Sequence, residues 1–251
     1  MTSIRSTRGR PMAGAAAHEP MATGDGGPHR RMLDAVGEDI ASGRLEPGTR
    51  LTLEELQNEF GVSRTVARDT MRVLETMNLV SSKRRVGIVV QDPSLWNVYD
   101  PQLVRWRLAS PRPEDQYASL TELRIGVEPV AGACAAQRAT GAQRAELAGL
   151  AARLRAFGEA GDLESFLEAD IAFHRLILRS SGNEMFAGLD GMVAVALTSR
   201  TRQGLMPFHP RSEALDAHER AAAAIVRGDP QGAEDALRDV LHEVRAALRL
   251  A

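Results

Sequence analysis

The chain has a single cysteine, Cys134, and a single lysine, Lys83, in 251 residues. One thiol excludes an internal disulfide framework and fits a reducing, cytoplasmic setting. Aromatic residues make up only 4%, which points away from a core of stacked rings and towards helices packed through small side chains. No apolar run reaches membrane-spanning length, and no apolar stretch of signal-peptide type follows the start MTSIRSTRGR. A soluble protein without a membrane partner is therefore expected. A strong charge of one sign is lacking too. The net charge is −2, and residues 29–91 hold ten basic against nine acidic side chains. Net charge alone makes no case for nucleic acid; local placement has to make it.

What is present is globular. Hydrophobic residues reach 43% and charged residues 25%, ordinary values that exclude wholesale disorder. Residues 1–28 are rich in Ala, Gly, Pro and Thr without periodicity and are expected to form a mobile tail. Residues 29–91 form a compact unit. In it Leu33, Val36 and Ile40 recur at helical spacing, and Pro47-Gly48 marks a turn. Thr52 and Glu55 form a capping box that opens a second helix stopping at Gly61. Ser63 caps a third helix, RTVARDTMRVLETMN, and LVSSKRRVGIVV reads as a two-stranded hairpin. Residues 92–113 are a Pro-punctuated connector carrying both tryptophans, and residues 114–251 are helical, with helices at about 114–138, 141–160, 162–181, 184–203, 212–228 and 230–249. The expected fold is mostly α: an N-terminal winged helix-turn-helix followed by an all-α antiparallel bundle.

Three short helices and a hairpin suit a double-stranded DNA operator. The second helix of such a pair enters the major groove with its N-terminal residues leading. Those residues are Ser63, Arg64, Thr65 and Arg68, with Arg72 continuing the same face. Arginine can bind guanine O6 and N7 with two hydrogen bonds, or contact phosphate. The hairpin tip, Lys83-Arg84-Arg85 with Gly87, places positive charge where a wing meets the DNA backbone. A solvated helix face and a charged turn are the plainer alternative for each feature taken singly.

The run G-R-L-E-P-G, then G-V-S-R-T-V-A-R, then a Gly-bearing wing resembles the N-terminal domain of the GntR superfamily of bacterial transcription regulators. The resemblance implies that Arg64, Thr65, Arg68 and the wing around Gly87 contact an operator. Two positions depart from the family pattern. Glu54 stands where many relatives carry an arginine, and Val66-Ala67 replaces Pro-Val.

In the helical half, the stretch EADIAFHRLIL sets Asp170 and His174 four residues apart. At about 3.6 residues per turn they share a face of one helix. His218 falls on the stripe of Leu215, Ala222 and Ile225 and points inward. A carboxylate and two histidines facing one interior suit a divalent cation such as Zn²⁺, Ni²⁺ or Mn²⁺. The alternative is a simple Asp170–His174 pair beside a satisfied core histidine. No organic cofactor is indicated.

The segments T-E-L-R at 121–124, E-P at 128–129, A-D-I-A-F-H at 169–174, S-G-N at 181–183 and A-H-x₅-A-I-x₂-G-D at 217–229 resemble the FCD ligand-sensing domain of the FadR subfamily. In its metal-binding members an Asp-x₃-His pair is joined by two later histidines. Asp170, His174 and His218 match three of these positions, and the fourth falls on Val240. His242 lies two residues on, which turns it by about 200° on a regular helix; it is read as facing solvent. The connector LWNVYDPQLVRWRL is similar to that of regulators of sugar-acid catabolism. The resemblance implies a small carboxylate effector such as galactonate or gluconate, held near Arg124, Asp170, His174 and His218. Arg124 either pairs with that carboxylate or forms a salt bridge to Glu128; Arg200 and Arg202 are further cationic candidates, equally explained as a solvated helix end. The function expected is that of a homodimeric, ligand-responsive repressor and not an enzyme. The alternatives are a metal-dependent hydrolase or oxygenase using Asp170, His174 and His218, or an architectural DNA-binding protein without a sensor.

Overall fold

A computed structural model describes residues 27–83 and 86–248. The first part of the chain contributes α1 (Pro28–Ala41), β1 (Arg50–Leu51), α2 (Leu53–Phe60), α3 (Arg64–Thr76), β2 (Val80–Lys83) and β3 (Gly87–Val90). The local signals act as their chemistry predicts. Thr52 and Glu55 form the reciprocal capping box of α2, and Gly61 ends that helix in the left-handed region. The Ser63 side chain accepts from the Val66 amide and opens α3. Met32, Val36 and Ile40 of α1 pack with Met71, Leu74 and Met77 into one apolar core. Met32 is fully buried, whereas Leu33 is only partly covered.

The expected two-stranded hairpin is a three-stranded antiparallel sheet in the order β1-β3-β2. The added strand is short: Arg50 pairs with Val89 and Leu51 with Ile88. Gly87 is needed at this junction. Its φ is +98°, and a Cβ there would stand 3.0 Å from the carbonyl oxygen of Leu51.

The connector is more ordered than its prolines suggested. Asp100 caps a helix, α4 (Pro101–Leu108), with Pro101 at its first position. One side of α4 sends Leu103 and Trp106 into the N-terminal core, and the other sends Val104 and Leu108 into a cluster with Tyr117, Leu120, Met192 and Ala196. One helix thus belongs to both cores.

The remainder is helical: α5 (Glu114–Arg138), α6 (Gly141–Ala160), α7 (Leu163–Ser180), α8 (Glu184–Ala187), α9 (Asp190–Arg202), α10 (Ser212–Arg227) and α11 (Pro230–Ala247). The helix expected over 184–203 is broken at Gly188-Leu189, so that α9 starts afresh at Asp190. α5 packs on α11, and Gly132 marks the close approach; a Cβ there would collide with Leu237. Small side chains let these two helices approach closely, as the scarcity of aromatics suggested. No described helix is long and apolar enough to cross a membrane.

Candidate functional site

The structure places the predicted DNA-facing residues on one exposed ridge. Ser63, Arg64, Thr65, Arg68 and Arg72 are all exposed at the start and outer face of α3. Arg72 lies 3.5 Å from Asp69, while Arg64 and Arg68 make no ion pair with any described residue. Together with Thr52, Glu54, Ser82 and Gly87 these arginines line an open groove of about 590 Å³ between α2, α3 and the sheet. Lys83 ends β2 opposite Gly87. Arg84 and Arg85 lie outside the described residues.

The second cluster is buried in the bundle. Glu128, His174, Arg124, His218 and Asp170 are 1%, 2%, 5%, 5% and 7% exposed. Arg124 does pair with Glu128, but inside the protein and not on its surface. Its Nε donates to Oε1 at 2.5 Å and its Nη2 to Oε2 at 3.3 Å. Burial works against both charges, yet the pairing outweighs it: the Arg124 guanidinium is held more firmly protonated, and Glu128 is drawn down to about 2 by Arg124 and His174.

His174 stands between two carboxylates. Its Nδ1 is 2.6 Å from Glu128 Oε2, off the ring N–H axis, and its Nε2 is 3.3 Å from Asp170 Oδ1. His218 Nε2 approaches the same Asp170 oxygen at 3.4 Å. Its other nitrogen, Nδ1, is 2.7 Å from the carbonyl of Ala214. A carbonyl can only accept, so Nδ1 carries the proton and Nε2 of neutral His218 turns a lone pair towards Asp170. Arg124 Nη2, which can only donate, lies 3.4 Å from His174 Nε2 and favours a lone pair there as well.

Two imidazole lone pairs facing one carboxylate oxygen call for a cation. Asp170 Oδ1 and His218 Nε2 are buried without a hydrogen-bond partner, and the three ligand atoms lie within 4.8 Å of one another. The separations of 3.3 and 3.4 Å match the edge of a tetrahedral zinc site, roughly 3.3 Å when bonds are about 2.0 Å. These residues therefore fit a divalent cation, with Glu128 beside His174 in the orienting position that such histidines favour. A proton is the competing cation. Burial opposes charging His174, but Glu128 and Asp170 overcome this and hold the imidazole up to about 9. Asp170 in turn stays ionised well below the usual carboxylate range, despite its burial.

A small cavity of about 20 Å³ adjoins the triad, lined by Arg124, Arg200, Glu243, Val240 and residues of the 203–211 segment. It has room for roughly one water. Val240, at the position of the family's fourth histidine, faces it, and His242 is exposed as expected. Arg200 is 6% exposed, whereas Arg202 is exposed. Helix spacing does not distinguish these two arginines, and it does not reveal Glu128 as a partner of His174. The only available signal for Glu128 was its place in the E-P segment.

α9 also touches the connector. Gln203, just past its end, donates to the Leu108 carbonyl at 2.8 Å and accepts from the Tyr117 hydroxyl at 3.0 Å. On the far side of α4, one oxygen of Asp34 in α1 accepts from Arg105, Gln102 and Trp106. The Trp106 ring lies on Gly37 with no space for a Cβ.

Comparison with known proteins follows this division. Residues 29–90 match the gntR family of bacterial regulatory proteins, and residues 119–243 match the FCD domain. The galactonate operon transcriptional repressor of Escherichia coli (strain K12) is 30% identical over 210 residues, covering 82% of this chain and 90% of the repressor. The HTH-type transcriptional regulator YieP of the same organism is 31% identical over 215 residues, with 84% and 90% covered. A probable D-xylose utilization operon transcriptional repressor of Paenarthrobacter nicotinovorans is 27% identical over 224 residues, with 87% and 86% covered. Among solved structures, Lar, which controls expression of the Listeria monocytogenes agr system, superposes with a TM-score of 0.57 at 19% identity, covering 89% of this chain and 97% of Lar. That likeness shows the fold alone.

Proposed function

The chain belongs to the GntR family of bacterial transcription regulators, with an FCD domain behind its helix-turn-helix, and on that premise we propose that it is a homodimeric repressor released from its operator by a small sugar acid. The family and the relatives are regulators of transcription, not enzymes, so the hydrolase and oxygenase alternatives fall away. The observation that carries the reading is the contrast between exposed Arg64 and Arg68, without an ion pair to any described residue, and a buried cavity whose polar groups outnumber their described partners.

In this reading Arg64, Thr65 and Arg68 contact base edges and Ser63, Arg72, Lys83 and Gly87 approach the backbone; Arg84 lies outside the described residues. Two copies would match a palindromic operator through their shared two-fold axis. In the bundle, Asp170, His174 and His218 would hold a divalent cation, Zn²⁺, Ni²⁺ or Mn²⁺. Such an ion supplies open coordination positions to an acid's oxygen atoms. Galactonate and gluconate are favoured because the galactonate repressor is among the relatives. Neither fits a space of about 20 Å³, so binding requires the 203–211 segment to give way. That segment begins at Gln203, which holds Leu108 of α4, and α4 is fastened to α1 through Asp34. Displacement at the cavity is thus passed to the DNA-reading unit by contacts between rigid helices, and a ligand that prefers the displaced arrangement shifts the dimer away from DNA.

The test is a fluorescence-anisotropy titration of operator DNA with and without galactonate or gluconate. Release of DNA by one acid, and not by galactitol, is expected. Operator affinity indifferent to every acid and to a chelator would refute the reading.

A further inference from the structure

Among the described residues, Arg200 is the buried charge of the cavity that no counter-charge meets at contact distance. Arg124 is engaged by Glu128, Glu128 by Arg124 and His174, and Asp170 lies beside two imidazoles. The Arg200 side chain makes no hydrogen bond and no ion pair with any described residue, its Nε is buried without a partner, and the residue is only 6% exposed. Burial favours its neutral form, as does the nearby Arg124, opposed at longer range by Asp170, Glu243 and Tyr117. A guanidinium cannot shed its proton in a protein, so this one sits in the protein at a standing energetic cost. Residues kept at such a cost are found where a ligand supplies the missing partner.

We propose that Arg200, and not Arg124, is the anchor for the carboxylate of the cavity's ligand. This rests on the reading of the cavity as an effector site. Arg200 lines the same space as Asp170, His174 and His218, so one carboxylate-bearing molecule can reach both ends. The acid group takes the planar guanidinium fork with two hydrogen bonds, and its hydroxyls lie towards the triad. A monoanion suits the site better than a phosphate ester. Asp170 and Glu243 stand on the same cavity and would repel a second negative charge. Arg124 is the poorer anchor because its Nε and Nη2 already donate to Glu128, and drawing them to a ligand would leave that buried carboxylate with His174 alone. The position also places ligand recognition on α9, three residues before the Gln203 side chain that holds the connector helix. Filling the site therefore acts on the helix whose end holds the connector helix α4.

The proposal is tested on the full chain with Arg200→Met and Arg200→Lys. Without ligand, Arg200→Met is expected to melt at a higher temperature than the wild type, since an unpaired buried charge is replaced by apolar atoms of similar length. Calorimetric titration with galactonate should show at least fiftyfold weaker binding to Arg200→Met, with partial recovery in Arg200→Lys and unchanged uptake of Zn²⁺. A fall in the melting temperature of Arg200→Met, wild-type galactonate affinity in that variant, or tighter binding of galactose 6-phosphate than of galactonate to the wild type would each overturn the assignment while leaving a ligand-responsive repressor intact. Failure of the wild type to bind galactonate, gluconate or any other aldonate would remove both the anchor and the effector reading.

Discussion

The arginines of α3 and those of the bundle are the same residue type under opposite rules. Arg64 and Arg68 stand in water with no ion pair to any described residue, and need none there. Arg124 and Arg200 are 5% and 6% exposed, and their charge has to be answered. An exposed charge costs little to hold and is positioned by helix spacing alone. A buried one is tolerated only with a partner, and that partner comes from elsewhere in the chain or from outside the protein. The contrast teaches that the exposed basic ridge of α3 is built by local structure and the buried cavity by tertiary structure.

The sharpest way to break the comparison is Glu128→Ala. It should cost about 3–5 kcal/mol of stability in thermal or urea unfolding, because it leaves Arg124 buried without its counter-ion. A change below about 1 kcal/mol would show that the buried pairing is not what holds this region. Arg64→Ala probes the other side. Operator affinity should fall by about 1–3 kcal/mol per lost bidentate contact, roughly 5- to 150-fold, with stability changed by less than about 0.5 kcal/mol. Unaltered affinity in an anisotropy titration would remove Arg64 from the reading helix. A third variant, Asp34→Asn, cuts between the two regions. Its three donors lose an ionised acceptor, so the fold should weaken by about 1–3 kcal/mol and the ligand should release less DNA at saturation. Full release would mean that the coupling runs by another route. The smallest effect is expected from His242→Ala, which should leave metal content by elemental analysis unchanged, while His218→Ala abolishes it; loss of metal in both would place His242 among the ligands.

Legibility follows the same division. The caps at Thr52 and Ser63, the left-handed stop at Gly61 and the basic ridge of α3 are short-range features, and each was visible in the order of residues. The strand Arg50–Leu51 was not, because two residues carry no alternation and their pairing to Ile88 and Val89 reaches across the whole reading helix. α4 was concealed by its own prolines, although Asp100-Pro101 is a sound helix start. The break before α9 had a local sign in Gly188 and Gly191, outweighed by the surrounding helix-forming residues. In the cavity, the inward faces of Asp170, His174, His218 and Val240 could be derived from helical period. That Glu128 backs His174 while the Arg200 side chain meets no counter-ion among the described residues could not, since both facts concern which helices meet.

The order of residues by itself determined a helix-turn-helix with arginines leading its second helix, and a following bundle with one carboxylate and two imidazoles turned inward. Hydrogen bonds and periods spanning a few residues are enough for that. Only the tertiary structure decided which guanidinium is spent on Glu128 and which is left open, and that α4 belongs to both cores. Those outcomes depend on separations of a few ångströms between helices distant in sequence, and Coulombic and packing energies are governed by distance in space, not by position along the chain.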